Sequence, residues 1–177
     1  MSVKLLNNPR RVWLGIALIC LGLLSFGMYL QHVVGLVPCP MCIVQRYAMV
    51  LMGLVALLGT FVSSRTPTLM VGGLVVLLAE GGAYVAARQS MLQWNPPEAV
   101  SCGRDFYGMI ETFPLKQAIP MIFKGSGDCT TVDWLFLGGS IANWSFVAFL
   151  VMGTVALVTT LRVLRPKSMA VQAGSEA

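Results

Sequence analysis

Four stretches of the chain are almost wholly apolar, over residues 12–30, 42–62, 68–87 and 143–161. Each is close to the ~20 residues that an α-helix needs to cross a bilayer core. Ser63-Ser64-Arg65-Thr66-Pro67 between the second and third is short, polar and helix-breaking, which predicts antiparallel neighbours. The connection over 31–41 is also short. The one over 88–142 carries Pro96, Pro97, Pro114, Pro120 and several glycines without an apolar run long enough to cross, so it belongs outside the hydrocarbon. The pattern predicts an all-α membrane protein: one four-transmembrane-helix bundle over 1–165, with both loops 31–41 and 88–142 on the same side. Residues 166–177, rich in Ala, Gly, Ser and Glu, read as a disordered tail. No internal repeat is evident.

Composition agrees, since 56% of residues are hydrophobic and 11% charged, too few charges for a soluble domain of 177 residues. The net charge of +5 does not point to nucleic acid, because the basic residues stand singly or in pairs beside apolar segments and build no phosphate-binding face. They act instead as topology signals. Lys4, Arg10, Arg11, Arg65, Arg162, Arg165 and Lys167 all fall on one side of the four-span arrangement, which the positive-inside rule assigns to the cytoplasm together with both termini. The opening segment resembles a signal peptide, but its apolar run is long and no small-residue cleavage site follows, so an uncleaved span is expected.

Both loops then face the periplasm of a Gram-negative host, an oxidising compartment, and they hold Cys39, Cys102 and Cys129, with Cys42 at the first residue of the second span. Cys39-Pro40-Met41-Cys42 leads directly into the second span, which puts Cys42 at a helix N-terminus, where the dipole favours a thiolate. Arg46, one helical turn on, can bring its cation towards that sulfur or a bound anion. Alternatively, Arg46 is a snorkelling interface anchor. Zinc competes for the C-x-x-C, with Cys102, Cys129 or His32 as further ligands, but a second close ligand pair is lacking and no metal is expected. Cys102 and Cys129 in the second loop could form a structural bridge worth roughly 3 kcal/mol. A lasting bridge would not call for a second pair at the membrane surface, however, and two pairs suggest thiol–disulfide exchange. Cys20 lies mid-span and reads as packing.

Gln31-His32-Val33, the C-x-x-C with Arg46, Met91-Leu92-Gln93, Ser101-Cys102 and Gly125-Ser126-Gly127-Asp128-Cys129 together resemble the disulfide bond formation protein B (DsbB) family, over about residues 10–165. The resemblance implies a bacterial inner-membrane oxidoreductase that reoxidises a periplasmic, thioredoxin-fold, DsbA-like dithiol protein and passes the electrons to the membrane quinone pool, as ubiquinone or menaquinone. It further implies that Cys102 and Cys129 form the disulfide attacked by the partner, with Cys102 taking the mixed disulfide. Cys39 and Cys42 then reoxidise that pair, with Cys42 facing the quinone and Arg46 helping to hold it. Gln31, His32, Met91 and Gln93 are the other candidate quinone contacts. Gln89 departs from well-known members that carry histidine there, so no role transfers to it.

Two other readings stand beside this one. A structural membrane protein could use both disulfides merely to staple its loops. The vitamin K epoxide reductase family also builds a quinone site in a four-helix bundle, but its C-x-x-C comes late, on the last span. Among smaller signals, Glu80 within a span should face the bundle or a cavity. Trp13, Trp94, Trp134 and Trp144 suit an aromatic belt. Leu115, Ala118, Ile119 and Ile122 recur at helical spacing and predict a short surface helix.

Overall fold

The computed structural model describes residues 8–96 and 129–164. Cys102, the proposed surface helix around Leu115, and the tail 166–177 lie outside the described residues. Among the described residues, four helices are long and apolar enough to span a membrane: α1 (Pro9–His32), α2 (Pro40–Phe61), α3 (Arg65–Trp94) and α4 (Ile141–Leu164).

The helix starts follow from local chemistry. Asn8 caps α1 by accepting the Arg10 amide at 3.2 Å, and Pro9 fills the first turn, where its missing N–H costs nothing. Cys39 caps α2, its Sγ accepting the Cys42 amide at 3.2 Å, again with proline next. The third helix exceeds its apolar stretch of 68–87, continuing through Arg88-Gln89-Ser90-Met91-Leu92-Gln93-Trp94 to Asn95. These residues are mixed polar and apolar but helix-compatible, and nothing stops the helix before Asn95-Pro96-Pro97.

α1 packs on α2, α2 on α3, and α3 most extensively on α4, whereas α1 and α4 meet only sparingly. The core that closes the bundle contains Trp13, Ile16, Met52, Val75, Phe149 and Met152. The α3–α4 approach depends on absent side chains, since a Cβ at Gly82 would collide with the Phe149 ring. Trp13 is no belt anchor but fully buried, because Gly59 on α2 leaves room for its indole. Cys20 is buried with its Sγ 3.8 Å from Met152 Sδ, a packing role. Glu80 departs from expectation: it lies exposed on the outer face of α3, because Val75, Ala79, Gly82 and Ala83 turn the small-residue face inward.

One end of the bundle is tied by basic residues. Arg10 donates to Val62 O at 3.3 Å and to Ser63 Oγ, and Arg65 donates to Leu164 O at 2.7 Å, at the C-terminus of α4. The opposite end carries Cys39 and Cys42. There a two-residue hairpin, β1 (Leu135–Phe136) and β2 (Gly139–Ser140), leads into α4. Its turn residues Leu137 and Gly138 both have positive φ, 50° and 78°, the conformation that a tight antiparallel turn requires. Ser140 Oγ accepts the Asn143 amide at 3.4 Å and donates to Gln93 Oε1 at 2.6 Å, while Gln93 Nε2 donates to Thr131 O at 3.4 Å. The extra turns of α3 thus hold the segment that follows Cys129 against the bundle.

Candidate active site at the cysteine end of the bundle

Cys39 ends the extended segment before α2 and Cys42 occupies its first turn, so helix geometry alone brings the two thiols together. Cys39, Met41, Val85 and Cys129 form a buried cluster against which Cys42, Val44 and Leu92 pack. Cys129, from the second loop, is therefore in the same cluster as the C-x-x-C. Its hydrogen bond with Cys39, then that of Cys42, and burial push the Cys39 thiol above its ordinary value.

Two buried glutamines complete the polar floor. Gln89 Nε2 donates to Cys39 Sγ and to Cys42 Sγ, each at 3.2 Å, and Gln89 Oε1 accepts from Gln45 Nε2 at 2.7 Å. Both amides are at most 4% exposed, so water does not compete for these bonds. Neither glutamine figured among the candidates from the sequence. The signal for Gln45 was its position three residues after Cys42, on the same helical face; Gln89 is brought in only by the packing of α3 on α2.

Arg46 lies beside the cysteines, but its hydrogen bonds run to α1: it donates to Gln31 Oε1 and, at 3.2 Å, to Gly27 O. Guanidinium, Gln31 and both C-x-x-C sulfurs line one recess of about 120 Å³, whose wall also includes Gln93 and Asp133. Of the described residues picked from the sequence, Gln31, Cys39, Cys42, Arg46 and Gln93 line this recess; Cys129, His32 and Met91 do not. His32 is exposed because one step along α1 from Gln31 rotates it by about 100°. Met91 is 54% exposed, two residues from both Gln89 and Gln93 and thus on the far side of α3.

The recess continues into a larger, mostly apolar cleft of about 540 Å³ along the sparse α1–α4 seam, and Gly27, Leu30, Met49 and Trp134 border both. Aromatic rings roof the cleft: Trp134 meets Phe26 edge-on at 5.8 Å and stacks on Phe136 at 5.9 Å. Trp144 pins Phe136 from below by donating to its carbonyl at 2.9 Å. A small chamber with two thiols and a cation thus opens sideways into a more apolar groove.

Comparison with known proteins follows the same lines. The family described as "Disulfide bond formation protein DsbB" matches residues 9–159. A relative from Polaromonas naphthalenivorans (strain CJ2), named "Disulfide bond formation protein B", is 63% identical over 167 residues, covering 94% of this chain and 100% of the relative. One of the same name from Paracidovorax citrulli (strain AAC00-1) is 61% identical, covering 89% of this chain and 90% of its own length. Another, from Aromatoleum aromaticum (strain DSM 19018 / LMG 30748 / EbN1), is 49% identical, with 88% and 94% covered.

Proposed function

The chain belongs to the disulfide bond formation protein B family of four-span membrane oxidoreductases, and we propose that it oxidises a periplasmic DsbA-like dithiol protein and delivers the electrons to a membrane quinone. The observation that carries this reading is the junction of the C-x-x-C recess, with its thiols and guanidinium, and the more apolar seam between α1 and α4. A quinone has that shape and polarity: a ring with two hydrogen-bonding oxygens on a long apolar tail.

The residues present fit such a group. The seam, lined by Leu23, Phe26 and Ala148 among others, would take the tail. Arg46, already fixed by Gly27 and Gln31, would hold a ring oxygen, and the thiols of Cys39 and Cys42 would lie beside the ring. When bound, a quinone supplies a two-electron, two-proton acceptor.

The chain's own residues do the rest. In exchange between dithiols and disulfides a thiolate attacks one sulfur of the bond while the other leaves. The contact between Cys129 and Cys39 supports transfer from the loop pair, Cys102 with Cys129, to the C-x-x-C, since one sulfur is already in reach of the other. Burial of Cys39 and Cys129 limits side reaction with small thiols in solution. The tethering of Arg10 and Arg65 at the opposite end supports a cytoplasmic side there, a periplasmic side for the cysteines and residence in the bacterial inner membrane.

The test is quinone reduction by the purified protein in bilayer discs upon addition of a reduced DsbA-like protein. One quinol per dithiol is expected from the wild type, with none from Cys42→Ser. No thiol-dependent reduction by the wild type with quinone present would overturn the proposal in favour of a bundle whose disulfides only staple its loops.

A further inference from the structure

We propose that Gln45 and Gln89 form an amide relay that sets the redox balance of the C-x-x-C pair, Gln89 by donating to both sulfurs and Gln45 by fixing which end of the Gln89 amide faces them. This rests on the reading of Cys39 and Cys42 as the redox pair. A primary amide has a donor end and an acceptor end of nearly equal size, so packing alone does not orient it. The orientation matters, because a sulfur carrying negative charge is stabilised by N–H and repelled by C=O. In this bundle Gln45 Nε2 donates to Gln89 Oε1 at 2.7 Å, which directs the Gln89 NH₂ to the 3.2 Å contacts with Cys39 and Cys42.

The consequence appears in the exchange step. A donor dithiol that reduces the Cys39–Cys42 disulfide gives up two electrons and two protons. Its own S–S bond forms as that of the pair breaks. The pair keeps one of the protons and is left as one thiol and one thiolate, the other proton passing to solvent. The amide donor favours this reduced state, because it meets the developing sulfur charge at a site where it is already in place. It also spans both sulfurs, so it serves whichever of them carries the charge. An amide neither gives nor takes a proton under these conditions, so the relay acts through orientation and charge stabilisation. Gln89 touches the reacting atoms; Gln45 is a positioning residue that acts through it.

The experiment equilibrates the intact protein in bilayer discs with glutathione redox buffers at one fixed pH. Acid quenching, alkylation and mass spectrometry of the peptide holding Cys39 and Cys42 then give the fraction bridged. Methionine is close to glutamine in volume and lacks the donor. Gln89→Met is expected to shift the equilibrium towards the disulfide about tenfold, which for a two-electron couple is a potential about 30 mV lower. Gln45→Met should move it the same way by less. The double variant should move it no further than Gln89→Met, yet unfold at a higher temperature than Gln89→Met, because no amide is left stranded. A balance within twofold of wild type in folded Gln89→Met, or additive shifts in the double variant, overturns the relay while leaving the oxidoreductase reading intact. Should Gln89→Met not fold, Gln45→Met decides, since a side chain that merely fills space would leave the balance unmoved. A wild-type pair that does not exchange with glutathione at all overturns the redox-pair reading and the relay with it.

Discussion

Replacing Arg46 by methionine removes a guanidinium that ties α2 to α1 through Gln31 Oε1 and Gly27 O. Both acceptors border the open recess, where water can substitute, so the structural cost is on the order of 1 kcal/mol. The functional cost is larger. A hydrogen bond from a charged donor to a ligand oxygen contributes about 1.5–3 kcal/mol, and every ~1.4 kcal/mol is a factor of ten in affinity. The expected outcome is a rise of about ten- to a hundredfold in KM for quinone, with KM for the dithiol partner unchanged. Arg46→Lys should recover only part of the loss, since a point ammonium cannot serve Gly27, Gln31 and a ligand in one planar arrangement. The assay is steady-state quinone reduction in bilayer discs, titrating quinone at saturating dithiol and then the reverse. A quinone KM within twofold of wild type, or an equal rise in both KM values, would refute the placement of Arg46 as a quinone-holding group.

Three further outcomes follow from the packing. Phe149→Ala should cost about 3–5 kcal/mol, read as a lower unfolding temperature in detergent, because the ring fills the groove left open by Gly82 and nothing else can. Ala148→Trp narrows the seam and should slow turnover of a long-tailed quinone while sparing a tail-less analogue; equal slowing of both would remove the seam from the route. Because the Cys39 thiol is pushed up, its thiolate fraction at pH 8 is below that of an ordinary cysteine, so iodoacetamide should label it slowly. In Cys129→Ala, which removes the first cause of that shift, the same pH leaves more thiolate and labelling should quicken, as peptide mapping would report.

Hydropathy made the bundle legible, because a bilayer demands long apolar runs whatever the tertiary packing. It carried no information on rotation about each helix axis. Hence the sides that Glu80 and Trp13 take differ from what hydropathy predicts: each depends on Gly59, Ala79, Gly82 and Ala83, which decide where helices approach, and not on its own polarity. The C-x-x-C and Arg46 were legible because local spacing fixes them on one helix. Gln31 and Gln93 line the recess while their neighbours His32 and Met91 do not, a distinction of helical phase that no motif expresses. The Gln45–Gln89 contact joins residues 44 positions apart on different helices, and glutamine is common enough in helices to announce nothing by itself.

On the proposed quinone route, the loose seam between α1 and α4 also determines what concentration means. A molecule that arrives through that seam never samples the aqueous phase, so its supply is counted in molecules per lipid and its approach is diffusion in two dimensions. Adding inert lipid at constant total quinone would dilute that supply and slow turnover, although the molarity of every component in the tube is unchanged. The proposed dithiol partner, arriving at the loops from water, would follow ordinary molarity. On that route one small bundle would join a reaction order set by volume to one set by area, and its rate in a cell would depend on how much membrane the cell has made.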